Sequence, residues 1–290
     1  MARTKNIACI TLFLTLAVSG CGGKHTIRVG SKNFTEQVIL GEIIAQHLER
    51  TLHQPVSRSL NLGGTLLAHQ ALRSGEIDLY PEYTGTALTA ILKQAAANDP
   101  AGVLRQVRAE YARQFQIDWL DPLGIDNTFA MVVRGAEARE QNLQTLSDAA
   151  KVSQPWMLGA GYEFEQRPDG MAALEKTYHL RWKSAPKSMD LGLLYKALEQ
   201  GQVTMIAANA TDGMLSAGDL KIMADDLHAF PPYQVSIAVR QPAIAAYPGL
   251  GDALNQLSGK FTNARMQQLN YDVDVKHRAV SEVAAEFLGR

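Results

Sequence analysis

Apolar and polar residues follow each other along the chain in two spacings, one typical of strands and one typical of helices. After residue 25, three short strand patterns are separated by two helical patterns, and Gly75 ends the second helical pattern. The order strand, helix, strand, helix, strand predicts a parallel sheet covered by helices. The predicted strands of this unit are residues 26–30, 55–60 and 77–80.

The same two patterns continue to the end of the chain and predict a second α/β unit. The predicted strands are residues 129–134, 157–160, 203–208 and 235–239, and the predicted helices are residues 87–92, 101–115, 169–178, 191–200, 250–261 and 279–288. No internal repeat or proline-rich linker divides the two units. We therefore expect the chain to cross between two lobes near residues 126–129 and 230–233, leaving a cleft at the crossing.

The N-terminus carries a separate signal. Two basic residues precede the apolar residues 7–18, and two small residues then lead into Cys21. This order resembles a bacterial lipoprotein signal, in which the cysteine is lipidated and becomes the first residue of the mature chain. We predict a signal peptide over residues 1–20, lipidation of Cys21 and a tether over residues 21–25. A plain signal peptide or an uncleaved anchor is the alternative.

Composition and charge exclude several function classes. The 290 residues carry 28 basic and 29 acidic side chains, a net charge of −1, which leaves no electrostatic footprint for nucleic acid. Both cysteines belong to the predicted signal and lipidation site, so the mature chain would hold no thiol nucleophile. The seven histidines show no metal-ligand spacing, and no hydrolase elbow or phosphate-binding loop occurs. We predict no metal, no cofactor and no catalytic residue.

Residues 80–86, with the sequence YPEYTGT, concentrate the candidate binding chemistry. Two tyrosines, a carboxylate and two threonines follow the predicted strand that ends at Tyr80. Tyrosine faces attract cations, and a threonine hydroxyl can bond a polar group, so a turn of this composition could hold a small ligand. The alternative is an ordinary surface turn made by Pro81 and Gly85, with Tyr80 in the core.

Eight motifs extend this observation along the chain. They are, in order, GSKNFTEQ, GGT, GEIDLYPEYTGT, LDPLGIDNTFA, FEQRPDG, YKALEQG, ATDG and FPPY. In this order they resemble the quaternary-ammonium substrate-binding lipoproteins of osmoprotectant ABC importers, which bind glycine betaine, carnitine and choline. The resemblance covers nearly the whole mature chain.

The resemblance implies an α/β, type II periplasmic-binding-protein fold of two lobes that close on a ligand in the cleft between them. We expect lobe I to comprise residues 26–128 and 234–290, and lobe II residues 129–233. The implied function is capture of a quaternary-ammonium compound outside the cytoplasm and delivery to a membrane permease with its ATPase, without covalent chemistry. The implied location is the periplasm or cell surface, with attachment to a membrane through Cys21.

The resemblance also implies an aromatic cage for the ammonium group. By motif, two cage tyrosines are Tyr83 and Tyr233. The third position is Phe129, which keeps the aromatic face and loses only the hydroxyl. The fourth position, a tyrosine in the family pattern, is Asn209, which removes an aromatic wall and supplies an amide instead.

The polar end of the ligand is expected to meet Lys32, Thr86 and Arg167. Arginine binds a carboxylate with two parallel hydrogen bonds, and a threonine hydroxyl adds one without repulsion, which favours a zwitterion over choline. Without the resemblance, Arg167 would be interpreted as a turn residue and Lys32 as a solvated lysine. An alternative ligand is a betaine of the ergothioneine type, since relatives of this fold bind it and Asn209 could meet its ring. An alternative of a different class is a ligand-sensing module that docks a membrane receptor instead of a permease.

Overall fold

The computed structural model describes residues 26–289, so the predicted signal peptide, Cys21 and the tether over residues 21–25 lie outside the described part of the chain. The strands are β1 (Ile27–Gly30), β2 (Val56–Ser59), β3 (Leu79–Tyr83), β4 (Ile117–Trp119), β5 (Phe129–Arg134), β6 (Leu158–Ala160), β7 (Lys187–Ser188), β8 (Met205–Asn209), β9 (Leu220–Met223) and β10 (Val235–Arg240).

Helices flank these strands. They are α1 (Thr35–Leu52), α2 (Thr65–Ser74), α3 (Thr84–Thr86), α4 (Pro100–Phe115), α5 (Gly135–Glu140), α6 (Leu146–Lys151), α7 (Tyr162–Gln166), α8 (Met171–Tyr178), α9 (Leu191–Glu199), α10 (Gln241–Ala246), α11 (Leu250–Asn255), α12 (Asn263–Asp274) and α13 (Val280–Phe287). A π-helix covers Ala87–Ile91, and a 3₁₀-helix covers Gly213–Ser216.

The strands form two five-stranded sheets, one in each lobe. The sheet of lobe I has the order β2-β1-β3-β10-β4, and the sheet of lobe II has the order β7-β6-β8-β5-β9. The predicted α/β, two-lobed fold class is therefore confirmed. The exact residue boundaries of the two lobes stay a prediction.

The prediction of a parallel sheet is correct for β1, β2 and β3 but wrong for the whole sheet. Strand β10 runs antiparallel to both β3 and β4, and β5 runs antiparallel to both β8 and β9. The physical reason is the path of the chain. Strands β5 and β10 each follow directly on a crossing between the lobes, so each enters its sheet from the cleft and runs against its neighbours.

The YPEYTGT segment is mostly a strand, so the expectation of a turn directly after Tyr80 was wrong. All five residues of β3 are buried, and the chain turns only at α3. A Cβ on Gly85 would lie 2.6 Å from the carbonyl oxygen of Pro232 and 2.8 Å from the ring of Tyr233. Glycine at this position therefore lets the second crossing pack directly against the turn.

The two crossings lie side by side between the lobes. Asp126 and Gln234 form an antiparallel bridge, and the backbone N–H of Tyr233 donates to Asp126 Oδ1 at 2.8 Å. The backbone N–H of Val235 bonds Ile125 O at 3.0 Å. This pairing puts Phe129 and Tyr233 at the ends of the crossings, where they face the cleft.

Helix α1 forms the centre of lobe I. Its side chains from Ile39 to Leu48 are buried against the sheet and the C-terminal helices. Between residues 26 and 289, no helix combines the length and apolar character that a membrane span requires.

Candidate ligand-binding cleft

A cavity of about 770 Å³ lies in the cleft, lined by residues of both lobes and of the crossings. The lining includes all seven residues predicted to contact the ligand, namely Lys32, Tyr83, Thr86, Phe129, Arg167, Asn209 and Tyr233. They come from positions up to about two hundred residues apart, and the fold brings them around one space. Their role as ligand contacts stays a prediction.

Tyr83 ends β3 and is only 4% exposed. Its hydroxyl donates to Glu36 Oε1 at 2.7 Å, and its ring stacks on Phe34 with the centroids 6.2 Å apart. These contacts fix the direction of the aromatic face. Tyr83 is therefore held as a rigid wall of the cavity.

Glu36 was not predicted from the sequence, although it joins three parts of the molecule. Besides the Tyr83 hydroxyl, it accepts a hydrogen bond from Asn127 Nδ2 at 2.9 Å and another from the Thr211 hydroxyl. Burial raises the pKa of Glu36 above its ordinary value, while these hydrogen bonds oppose the rise. One side chain thus connects the wall in lobe I, the first crossing and the end of β8.

Lys32 lies in the cavity wall with its charge already balanced. Its ammonium group is 2.6 Å from Glu82 Oε1, and both side chains are almost fully buried. The same ammonium lies 4.5 Å from the centre of the Tyr83 ring. Lys32 is therefore a paired lysine over an aromatic face, where a free charge for a ligand carboxylate was expected.

Phe129 and Tyr233 form a second aromatic wall. Their ring centroids are 5.5 Å apart at an interplanar angle of 70°, and Phe129 also contacts Phe164 and Phe230 edge to face. The sequence analysis missed these two supporting phenylalanines, because their side chains meet Phe129 only in the folded chain. The cluster holds the Phe129 ring in place without the hydroxyl that a tyrosine would offer.

Arg167 lies beside this wall and is held by Asp169. Its Nε and Nη2 donate to the two carboxylate oxygens of Asp169 at 3.0 and 2.5 Å. The guanidinium carbon is 5.1 Å from the Phe129 ring centre and 5.5 Å from that of Tyr233. Nη1 makes no hydrogen bond to Asp169 and lies 4.0 Å from Glu163 Oε2.

Asp169 also fixes the second aromatic wall, since the Tyr233 hydroxyl donates to Asp169 Oδ2 at 2.6 Å. Burial of Asp169 favours its neutral form, but the hydrogen bonds and charge of Arg167 outweigh it and hold the pKa of Asp169 below its ordinary value. The arginine, the carboxylate and the tyrosine therefore form one rigid unit.

Asn209 ends β8 and lies directly opposite Phe129 in the sheet. Its side-chain amide is 3.3 Å from Asp212 Oδ1, and its backbone N–H donates to Asp212 Oδ2 at 3.1 Å. Tyr195 donates its hydroxyl hydrogen to the same Asp212 Oδ2 at 2.9 Å. Burial raises the pKa of Asp212 to about 6, despite these hydrogen bonds.

Thr86 is buried in the first turn after β3 and lines the cavity next to Tyr83. Across the cleft, Glu163 reaches the start of α2: the backbone N–H of Thr65 donates to Glu163 Oε1 at 2.5 Å, and the Thr65 hydroxyl donates to Oε2 at 3.1 Å. A carboxylate of lobe II thus caps a helix of lobe I.

Comparison with known proteins identifies the family. Residues 25–290 match the family described as the substrate-binding domain of ABC-type glycine betaine transport systems. The chain belongs to this family. The predicted resemblance to substrate-binding proteins of quaternary-ammonium ABC importers is therefore confirmed.

Individual relatives within this family carry different ligands in their names. The carnitine transport binding protein OpuCC of Listeria monocytogenes is 35% identical over 283 residues, which cover 96% of this chain and 92% of the relative. The ergothioneine transport permease/ergothioneine binding protein EgtU of Helicobacter pylori is 35% identical over 263 residues, covering 90% of this chain and 47% of the relative.

A solved structure described as a glycine betaine/carnitine/choline ABC transporter is also similar. It is 31% identical, with a TM-score of 0.75 over 90% of this chain and 97% of that chain. Since the similarity spans both lobes, the two-lobed architecture of this family applies to the whole described chain.

Proposed function

We propose that this protein captures a quaternary-ammonium zwitterion of the glycine betaine and carnitine type and hands it to a membrane permease driven by an ATPase. The observation that carries the proposal is the arrangement of the cavity. Three aromatic faces, those of Tyr83, Phe129 and Tyr233, line the same space as the donors Thr86 and Arg167. These are the two kinds of group that a trimethylammonium carboxylate needs.

The aromatic faces would hold the ammonium group. A trimethylammonium ion has no N–H to donate. Attraction to the negative face of an aromatic ring is therefore the main interaction by which the protein can bind it. Each desolvated face contributes on the order of 1 kcal/mol or more. Closure of the two lobes would exclude water and strengthen these interactions.

The carboxylate would bond the Thr86 hydroxyl and the N–H groups of Arg167 that do not bond Asp169. Lys32 would act differently from the sequence-based expectation. Because Glu82 already neutralises it, its contribution is to complete the wall behind Tyr83. No nucleophile or acid–base pair is assigned, and we propose that the protein performs binding and release without covalent chemistry.

A second candidate ligand is a betaine of the ergothioneine type. The observation that favours it is Asn209, which takes the place of a cage tyrosine and offers an amide at the cavity wall. The relative named for ergothioneine transport shares 35% identity with this chain. A larger, more polar ligand would use the space that a fourth tyrosine would fill.

We also propose that the mature chain is anchored to a membrane by lipid on Cys21 and so stays outside the cytoplasm near its permease. Expression with an alkyne-labelled fatty acid should label the full chain, and Cys21→Ser should abolish the label. Equal labelling of both forms would contradict the anchor.

A ligand screen tests the proposed function. Thermal unfolding of residues 22–290 would be followed with glycine betaine, carnitine, choline and ergothioneine, and each hit would then be titrated by calorimetry. We expect at least one zwitterion to raise the unfolding temperature and to bind with a single site. If none of the four compounds binds, the proposed function is wrong.

A further inference from the structure

Arg167 lies against two of the three aromatic rings that the proposed function assigns to the ammonium group. Its guanidinium carbon is 5.1 Å from the ring centre of Phe129 and 5.5 Å from that of Tyr233. Both distances fall within the range of about 6 Å over which a cation is attracted to an aromatic face. The protein therefore places a cation of its own at the wall that a trimethylammonium group would need.

The guanidinium faces the cavity, whereas its counter-charge does not. Arg167 lines the cavity, and its side chain is 11% exposed. Asp169, which accepts two hydrogen bonds from Arg167, is not among the described residues of that lining, and its side chain is fully buried. A ligand in the cavity therefore meets the positive end of this ion pair.

Lys32 is the other basic residue among the described residues of the lining, and it is held differently. Its ammonium lies 4.5 Å from the ring centre of Tyr83, but its side chain is only 2% exposed. Within lobe I it donates to Glu82 Oε1 at 2.6 Å and to the Thr65 hydroxyl at 3.4 Å. These partners enclose the ammonium of Lys32, so Arg167 is the cation that an incoming ligand can displace.

The guanidinium of Arg167 has a second carboxylate close by. Its Nη1 lies 4.0 Å from Glu163 Oε2, on the helix that ends directly before Arg167. An unpaired buried charge would be very costly. Because Glu163 is near, the guanidinium can shift off the two rings and still have a carboxylate as its partner.

All other Asp, Glu, Lys, Arg and His residues in the described part of the lining are acidic. They are Glu36, Glu163, Asp190, Asp212 and Asp274. Where ionised, these side chains attract a ligand ammonium and repel a ligand carboxylate. By themselves they would favour a simple cation such as choline over a zwitterion. A preference for a zwitterion must therefore come from the part of the lining around Arg167.

We infer that Arg167 is an internal cation that occupies the faces of Phe129 and Tyr233, and that the ligand carboxylate draws it off these rings so that the ligand ammonium can take its place. A zwitterion replaces one cation at the rings by another and adds an ion pair with the displaced guanidinium. A ligand without a carboxylate displaces the guanidinium and gains no such pair. The inference rests on the proposed function and adds the way in which the cage selects against simple cations.

Choline and glycine betaine test the inference, because they share the trimethylammonium group and differ at the other end, which is a hydroxyl in choline and a carboxylate in glycine betaine. The variant is Arg167→Met combined with Asp169→Asn, which removes both charges of the pair and keeps a long, flexible side chain beside the rings. By calorimetry, choline should bind to this double variant at least about threefold more tightly than to the unaltered protein, and glycine betaine at least about tenfold more weakly.

The matched control is Arg139→Met combined with Asp219→Asn. It removes an equivalent pair, joined by hydrogen bonds of 2.7 and 2.6 Å, from the exposed surface of lobe II. Both compounds should bind to the control as they bind to the unaltered protein. Thermal unfolding without ligand would show that both double variants fold.

A crystal structure of the unaltered protein with glycine betaine tests the displacement without any substitution. The ligand ammonium should lie within about 6 Å of the ring centres of Phe129 and Tyr233, and the guanidinium carbon of Arg167 should lie farther than that from both. A guanidinium that stays on both rings beside the bound ligand would overturn the inference.

The outcomes of the titrations separate the inference from the proposed function. If glycine betaine binds the double variant more weakly and the affinity for choline is unchanged, Arg167 only bonds the carboxylate, and the inference is wrong while the proposed function stands. If both compounds bind more weakly, Arg167 supports the wall and does not compete for it, which also refutes the inference alone. If glycine betaine, carnitine, choline and ergothioneine all fail to bind the unaltered protein, both the inference and the proposed function fail.

Discussion

The aromatic face of Tyr83 lines the cavity, whereas its hydroxyl forms a hydrogen bond within the protein. The hydroxyl donates to the buried Glu36, which also holds Asn127 and Thr211. A ligand would therefore meet the ring of Tyr83, while its hydroxyl maintains the wall and the connection to the crossing. The two contributions can be separated by substitution, because phenylalanine keeps the face and removes only the hydroxyl.

We expect Tyr83→Ala to weaken ligand binding at least tenfold, the loss of one desolvated cage face. Tyr83→Phe should retain most of the affinity but lower the free energy of unfolding by about 1–3 kcal/mol, since a buried carboxylate loses a donor. Calorimetric titration and urea unfolding of both variants measure the two effects. Affinity unchanged in Tyr83→Ala would show that the ring is no part of a cage.

Asp212 should give the ligand-free protein a characteristic dependence of stability on pH. Its pKa is about 6 in the folded chain against an ordinary value of 3.8, because burial favours the neutral form. The folded state therefore binds the proton more tightly than the unfolded state, and this contribution to stability is lost as the pH rises from about 4 to about 6. The total loss is about 3 kcal/mol at most, from 1.36 kcal/mol per pKa unit.

Asp212→Asn removes this titration. We expect the unaltered protein to lose stability relative to Asp212→Asn between pH 4 and pH 6, and the difference to level off above pH 7. Urea unfolding of both proteins at several pH values measures it. Stability curves that stay parallel over this range would show that the pKa of Asp212 is not raised in the folded protein.

At the scale of elements, the sequence predicted the strands and helices whose apolar pattern is regular. Strand β5 and helices such as α4 lie where the periodicity placed them. Helix α12 was missed, because its buried face includes Asn270 and Asp272 beside Met266 and Leu269, so the apolar pattern is weak. The antiparallel direction of β5 and β10 could not be predicted, since it follows from the crossings and not from local pattern.

In the candidate site, too, some residues could be predicted from the sequence and others could not. Residues within ordered motifs, such as Tyr83 and Tyr233, could be named because the motifs carry them. The side chains that hold them could not, since their partners are distant in sequence: Glu36 meets Thr211 across 175 positions, and Tyr233 meets Asp169 across 64. The pairing of Lys32 with Glu82, which changes the role of that lysine, was hidden for the same reason.

Helix α2 begins without a side-chain cap of its own, and Glu163 of the other lobe supplies one. A Cβ on Gly64 would lie 2.5 Å from Glu163 Oε1, so the glycine provides the space for this contact. Because the cap spans the cleft, it stabilises the arrangement in which the lobes are close together.

We expect Glu163→Ala to weaken ligand binding roughly three- to tenfold, since loss of a helix cap costs about 0.5–2 kcal/mol and the loss falls on the closed arrangement. Glu165→Ala is the matched control: it removes the same charge from the same helix, but Glu165 bonds Ser188 within lobe II. Calorimetry and the radius of gyration from solution scattering distinguish the two. Similar behaviour of both variants would mean that Glu163 has no role in closure.

At the scale of the whole molecule, the two crossings connect the aromatic walls of the cavity to one another. The paired crossings carry Phe129 and Tyr233 at their ends, while Tyr83 is tied to the first crossing through Glu36 and Asn127. Rotation of one lobe against the other would move the two aromatic walls relative to each other. A ligand between the walls would therefore oppose separation of the lobes.

This coupling predicts that a ligand stabilises both lobes equally, although each lobe has its own sheet and core. The tryptophans provide local probes outside the cavity lining: Trp119 lies in lobe I, whereas Trp156 and Trp182 lie in lobe II. Trp119→Phe would report on lobe II alone, and the double variant Trp156→Phe with Trp182→Phe on lobe I alone. At a free ligand concentration of one hundred times Kd, each variant should gain about 2.7 kcal/mol over its own ligand-free value. A gain seen by only one set of probes would show that the ligand binds within a single lobe and that the cleft does not close around it.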